Sequence, residues 1–398
     1  MSSDLSPSAS IGGEAVPSGL YLHLPFCLRQ CSYCDFASAA LDEVGGPPAA
    51  RRYLDALAVE LDLRAASEEF FGAAAETVYL GGGTPTILPP EWLADLLTRL
   101  RCRFPFPADA EITIEANPGT VDREKLSALL AAGINRISLG VQSFSDDVLR
   151  TLGRAHDAAE ARNAIAAARA VGCDNLNLDL IYGVPQQTRD DWRSTLENAL
   201  ESRPEHISTY ALSVEPGTPL AREIAAERLP APDDDLTADM YSLAAELLPE
   251  AGHLHYEISN FALPGRECRH NRRYWANAEY LGLGASAHSH RGGFRWNNVS
   301  DLGVYVEGLE KGVLPVERAE ALSARERVGE MLILGLRRAE GVSEEQVAEQ
   351  CGLAPRAVFA EEIEQLCEQG LLIAEQGILR LPRDRWLISN EVLAQFVP

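Results

Sequence analysis

The stretch "YLHLPFCLRQCSYCDF", Tyr21 to Phe36, sets three cysteines, Cys27, Cys31 and Cys34, in one loop directly behind a short apolar, strand-like run. Two kinds of metal site are open to it. A structural zinc takes four protein ligands, and His23 could supply the fourth. Zinc knuckles, however, come as paired CxxC halves, and nothing downstream repeats this CxxxCxxC. Three thiolates suit a [4Fe–4S] cluster whose fourth iron is left to an exogenous ligand, because cluster irons are held by cysteine thiolate.

Working outward, five more β-like runs follow the first, Leu20–Leu24: Val78–Gly81, Glu111–Ala116, Arg136–Val141, Asn175–Tyr182 and His206–Leu212. Ala- and Leu-rich segments with helical character separate them, such as "YLDALAVELDLRAA" from Tyr53 and "AEARNAIAAARAVG" from Ala159, several stopping at glycine. Strand and helix alternating at this spacing predict an α/β domain on a parallel sheet, barrel-like or doubly wound. Each β run finishes in polar or glycine-rich residues: the cysteine loop, "GGGTP" at Gly81, "EANPG" at Glu115, "VQSF" at Val141 and "DLIYGVPQQT" at Asp179. A shared site therefore belongs at the carboxyl ends of the strands, where barrels carry their chemistry.

The expected organisation is a leader at 1–19, an α/β core at 20–250, a connecting region at 251–321 and a C-terminal module at 322–398. The connecting region shows turn signals, aromatics and five of the eight histidines but no helical period. The last module reads as helices followed by a hairpin, an order like a winged helix. Its eight Arg and no Lys stand against thirteen Asp and Glu, which disfavours DNA reading.

At 398 residues, 46% of them hydrophobic, the chain can bury a large core without disulfides. Five of the eight cysteines, Cys102, Cys173, Cys268, Cys351 and Cys367, stand alone, so no disulfide framework is implied. The N-terminus lacks a basic start with an apolar run, and no later segment approaches the ~20 apolar residues of a membrane span. These features predict a soluble protein of the reducing cytoplasm. A net charge of −24 disfavours nucleic acid as a partner.

CxxxCxxC at the end of a first barrel strand resembles the signature of the radical S-adenosylmethionine (SAM) family. The resemblance implies a partial (β/α)6 barrel, SAM bound through the open iron, and one-electron cleavage of SAM to a 5′-deoxyadenosyl radical. "GGGTPT" is similar to the family's second element, where glycines let backbone approach a ligand. From Tyr21 to about Trp275 the likeness is to the coproporphyrinogen III oxidase-like group, which contains both an oxygen-independent dehydrogenase and a heme chaperone. It implies cluster ligands Cys27, Cys31 and Cys34, and SAM contacts from Tyr21, Tyr33, Gly82, Gly83, Thr84, Glu115, Gln142, Arg154 and Asp179. Taken singly, Glu115 and Asp179 read as capping or ion-pair residues and Arg154 as a surface cation; it is their joint placement in the family's order that implies SAM contacts.

Two departures weigh against the dehydrogenase. Its pattern is CxxxCxxCxC, and here the last position is Phe36; its long N-terminal extension is also replaced by about twenty residues before the first strand. In favour of the chaperone, "HNRRYW", His270 to Trp275, matches an HNxxYW motif associated with heme. The resemblance thus implies heme contacts from His270, Asn271, Tyr274 and Trp275, with His270 an axial ligand and Cys268, His288 and His290 its rivals. A core histidine beside two packing aromatics is the plain structural alternative. The implied partners are heme, a heme-acceptor protein such as a membrane-associated respiratory enzyme, and a reducing electron donor. The remaining alternative is decarboxylation of porphyrinogen propionates by the dehydrogenase chemistry.

Overall fold

The computed structural model describes residues 18–67, 70 and 73–397. Six parallel strands form its centre: β1 (Ser18–Leu24), β2 (Ala75–Gly82), β3 (Glu111–Ala116), β4 (Arg136–Gln142), β5 (Leu176–Tyr182) and β6 (His206–Ala211). They pair in chain order, each parallel to the next, as the alternating sequence pattern predicts. The expected leader falls almost wholly outside the described residues.

Period-two alternation decides what each face of this sheet does. Leu20, Leu22 and Leu24 of β1, Ile112 and Ile114 of β3, and Leu176, Leu178 and Leu180 of β5 are buried in the main hydrophobic core. The intervening residues face the concave side and are polar: Tyr21 and His23, Thr77 and Tyr79, Glu111, Thr113 and Glu115, Arg136 and Ser138, Asn177 and Asp179. Their mutual hydrogen bonds fix them to one face, as with Ser138 Oγ to Asp179 Oδ2 at 2.9 Å and Asn177 Nδ2 to Ser138 Oγ at 2.7 Å. Helices between the strands start where a capping side chain satisfies the free N–H groups. Asp122, Asp157 and Thr188 do so at three of them, the last two as full capping boxes.

The segment read as irregular between 251 and 321 extends the sheet at both edges. Strand β8 (Asn260–Ala262) pairs antiparallel with β6, and β7 (Leu254–Glu257) pairs antiparallel with β8 at the edge. On the other side β9 (Tyr280–Leu283) runs parallel to β1, and β10 (His288–Arg291), β11 (Phe294–Asn298) and β12 (Val316–Ala321) follow antiparallel. The order is β12-β11-β10-β9-β1-β2-β3-β4-β5-β6-β8-β7, an open sheet and not a closed barrel. This region also holds two short helices, Arg269–Trp275 and Leu302–Glu310. Neither has the length to show a helical period in sequence. The first stops at Asn277, whose φ of +50° is the left-handed geometry that Asn tolerates after a helix.

From Ala324 onward the chain forms helices Ala324–Gly335, Glu344–Cys351 and Ala360–Glu368 and a three-stranded antiparallel sheet. The hairpin within that sheet turns at Gln376 and Gly377, both with positive φ, the geometry that matches strand twist in a two-residue loop. Helices followed by a hairpin make this part winged-helix-like, as expected. It docks on the core through backbone bonds from Ile258 N to Arg337 O and from Ala339 N to Tyr256 O. Among the described residues no helix is long and apolar enough to cross a membrane.

Candidate functional site

The cysteine loop sits at the carboxyl ends of β1 and β2. A two-residue parallel ladder, Phe26–Cys27 with Ala39–Ala40, closes it on itself. Thr84 N donates to Phe26 O at 2.7 Å and Gly83 N to Leu24 O at 3.0 Å, which straps the "GGGT" turn against the loop's entry. A Cβ on Gly83 would lie 2.7 Å from Phe26 O, so only glycine permits this approach. Ser32 pins the far side, its N–H to Leu152 O and its hydroxyl to Thr151 O at 2.9 Å.

Cys27, Cys31 and Cys34 are all free and half-buried. Thr84 Oγ1 approaches Cys27 Sγ at 3.6 Å, and Arg154 Nη1 approaches Cys31 Sγ at 3.4 Å. Burial pushes the Cys27 and Cys34 thiols up. His23 is not a fourth ligand. Its Nε2–H donates to Ala37 O at 2.8 Å, leaving Nδ1 to accept from the Tyr21 hydroxyl at 3.0 Å, so both nitrogens are spent. With His23 spent, the loop offers three thiols, the donor set that a [4Fe–4S] cluster with one open iron would take.

Beside the thiols, opposite charges face one another. Arg154 donates to Gly140 O at 2.9 Å and to Asn117 Oδ1, and Asn117 Nδ2 donates to Thr84 Oγ1 at 2.7 Å. The Arg154 guanidinium is held protonated: burial opposes this, but Tyr33 and Cys31 outweigh it. On the other side the Glu115 carboxylate accepts from Tyr79 OH at 2.9 Å and Gly82 N at 3.1 Å, and burial raises it to about 7. Asp179 lies further along, held by Ser138 Oγ and Asn177 Nδ2, both at 2.9 Å. Gln142 sits at φ +65°, with its side-chain oxygen buried and unpartnered.

A cation and an anion flanking a glycine turn next to three thiols suit a zwitterionic amino acid such as the methionyl end of SAM. The unpartnered Gln142 oxygen and Arg154 Nε are polar atoms awaiting a ligand. Tyr33 packs on the small cluster of Val148, Leu152, Ile181 and Val184, with burial pushing its hydroxyl up. A cavity lined by Cys31, Thr84, Asn117, Arg154 and His156 opens at the same place. The strand ends therefore gather the expected residues into one region. Tyr79, Asn117, Ser138 and Asn177 were not anticipated. Tyr79 shares the alternation of Thr77 and Gly81, which could have placed it on the inner face, but an aromatic in a strand reads first as core.

The "HNRRYW" helix stands at the opposite, amino-terminal end of the same concave face. Glu111 at the start of β3 caps it, accepting from Arg269 N and His270 N, both at 3.0 Å. His270 is 1% exposed. Its Nδ1 is bonded to Thr77 Oγ1 at 2.8 Å and its Nε2 to Tyr274 OH at 2.9 Å, so this conformation presents no nitrogen to an iron. Burial lowers the imidazole to about 3, keeping it neutral. Asn271, Tyr274 and Trp275 are half-buried, and the Arg337 guanidinium lies over the Trp275 ring at 5.0 Å. Of the rivals, Cys268 and His290 are buried while His288 is exposed.

Six parallel strands at the centre of an open sheet, with three thiols at their carboxyl ends, are the fold and site of a radical SAM protein. The Radical SAM superfamily model matches residues 21–199, and the HemN C-terminal domain model matches 322–388. Among curated proteins, the heme chaperone HemW of Mycobacterium tuberculosis is 43% identical over 326 residues, 82% of this chain and 83% of that protein. The HemW of Bacillus subtilis is 34% identical over 385 residues, 95% of this chain and 98% of that one. Among solved structures, coproporphyrinogen III oxidase HemN of Escherichia coli, a radical SAM enzyme, superposes with a TM-score of 0.83 at 28% identity, covering 96% of this chain and 90% of that one. The chain belongs to the HemW family.

Proposed function

We propose that the protein is a heme chaperone that binds heme and passes it to an acceptor protein, with a [4Fe–4S] cluster on Cys27, Cys31 and Cys34 and SAM beside it. The observation that carries this reading is the likeness to a heme chaperone over 82% of this chain at 43% identity. Phe36 supports it against the dehydrogenase, since the last position of CxxxCxxCxC holds no thiol here and its side chain is 69% exposed at the rim of the loop. The likeness to HemN keeps porphyrinogen decarboxylation as the second reading.

In this reading the chain's own groups divide the work by charge. Arg154, aligned by Asn117 and Gly140 O, pairs with the carboxylate of SAM together with Thr84; Glu115 receives its ammonium; Gln142, Asp179, Tyr21 and Tyr33 hold the nucleoside part. Gly82 and Gly83 keep side chains out of the methionyl path. A [4Fe–4S] cluster held by Cys27, Cys31 and Cys34 would supply one-electron reducing chemistry toward SAM. The electron donor is a reductant of the cytoplasm, where the eight cysteines stay as thiols.

Heme is the cargo. Asn271, Tyr274 and Trp275 offer it a partly exposed polar and aromatic edge. Ligation by His270 requires the ring to leave both hydrogen bonds, whereas His288 is the exposed imidazole among the eight histidines. Heme titration of the anaerobically reconstituted full chain, followed by transfer to an apo-acceptor, tests the reading. A Soret band that moves to the acceptor is expected. Multiple-turnover conversion of coproporphyrinogen III would replace the chaperone with the dehydrogenase.

A further inference from the structure

The two ends of the concave face are joined by one side chain. The Tyr79 ring stacks on His270 of the "HNRRYW" helix, with centroids 5.2 Å apart and planes 29° apart, and on Tyr21 at 6.2 Å. Its hydroxyl donates to Glu115 Oε1 at 2.9 Å, while the other carboxylate oxygen takes Gly82 N at 3.1 Å. Gly81 is bare where these groups meet: a Cβ there would lie 2.9 Å from Glu115 Cδ and 2.9 Å from the Tyr79 ring. Sheet register explains the junction. Tyr79 is in register with Tyr21 on one side and Thr113 on the other, so its ring lies over the middle of the face while Glu115 is one inward position nearer the thiols.

We propose that Tyr79 is a positioning residue for SAM: stacked on Tyr21 and His270, it holds the Glu115 carboxylate aimed at the glycine turn. This rests on Glu115 being a SAM contact. A buried carboxylate with only one backbone N–H to accept from is free to turn and is harder to ionise, and the phenol O–H opposes both. The "HNRRYW" helix thereby reaches the SAM pocket through Tyr79, although its own residues lie at the far end of the strands. Motif and cluster are not independent in this fold.

The titratable groups around Glu115 are Tyr21 from β1, Tyr79 from β2, Arg136 from β4, Asp179 from β5, Tyr210 from β6 and Tyr274 from the motif helix. Tyr79→Phe changes only one of them and keeps the ring in its stack, so packing is preserved and the hydroxyl alone is removed. Loss of that bond makes Glu115 harder to ionise, which moves productive SAM binding to higher pH.

The test is SAM affinity of the cluster-loaded full chain measured by calorimetry between pH 6.5 and 9. Tyr79→Phe is expected to bind about fivefold more weakly at pH 7, with its affinity curve displaced upward by about one pH unit and rejoining wild type at the alkaline end. A Tyr79→Phe curve that coincides with wild type, while Glu115→Gln binds weakly, overturns the positioning role alone. A Glu115→Gln protein that binds SAM like wild type overturns the assignment of Glu115 and the proposal with it.

Discussion

His270→Ala separates two roles that the sequence leaves open, because a buried strut and an iron ligand fail differently. Removing the imidazole deletes its bonds to Thr77 and Tyr274 and its contacts with two aromatic rings. Thr77 is 1% exposed, so its hydroxyl is stranded at a cost of about 1–3 kcal/mol. Lost stacking on Tyr79 and the lost edge-to-face contact with Tyr274 add about 0.5–1.5 kcal/mol for each pair. The expected destabilisation is roughly 3–5 kcal/mol, read by urea unfolding of the heme-free, cluster-free protein at pH 7.5. Acid provides an independent check. The folded imidazole is lowered to about 3 by burial, against 6.5 when free. The unfolded chain therefore binds the proton first, and this site costs stability as pH falls from 6.5 toward 3, at about 1.4 kcal/mol per pH unit. His270→Ala should lack that component of the acid sensitivity. The strut argument is refuted if the variant unfolds within about 0.5 kcal/mol of wild type and shows the same acid profile, with only the Soret band changed.

Cys27→Ala, Cys31→Ala and Cys34→Ala should each lose cluster iron and sulfide, while Cys102→Ala and Cys367→Ala retain both by chemical analysis after anaerobic purification; zinc in place of iron would contradict the three-thiolate reading. Gly83→Ala forces its methyl within 2.7 Å of Phe26 O and should shift the cysteine loop enough to lower reconstituted cluster content well below wild type, whereas Gly119→Ala, with nothing within 4 Å, should leave it unchanged.

Much of the core was legible because it depends on local pattern. Six β runs were read at Leu20–Leu24 through His206–Leu212, and the observed strands differ at their ends by at most three residues. The cysteine spacing likewise carried its own chemistry, since three thiolates in one loop restrict the metal whatever surrounds them. The region from 251 to 321 was not legible. Its strands are three to six residues long and its first helix seven, too short for a period to emerge, and their partners are the edges of a sheet laid down much earlier in the chain.

The candidate site divides along the same line. That Glu115 belongs near the thiols followed from its place at the end of a strand, and that Arg154 and Asp179 join it followed from the family resemblance. What each one does there was set mostly by residues far away in sequence: Asn117 turns Arg154, Tyr79 holds Glu115, and Ser138, with the neighbouring Asn177, fixes Asp179. The fate of His270 was decided in the same way. Its motif marks a function, but the fold buries the ring between Thr77 and Tyr274, two partners that are 193 and four residues away. Linear order specifies which side chains exist and on which face of a strand they fall. Only the assembled sheet determines which of them desolvate one another, and desolvation is what commits a nitrogen to a hydrogen bond or leaves it free for a metal.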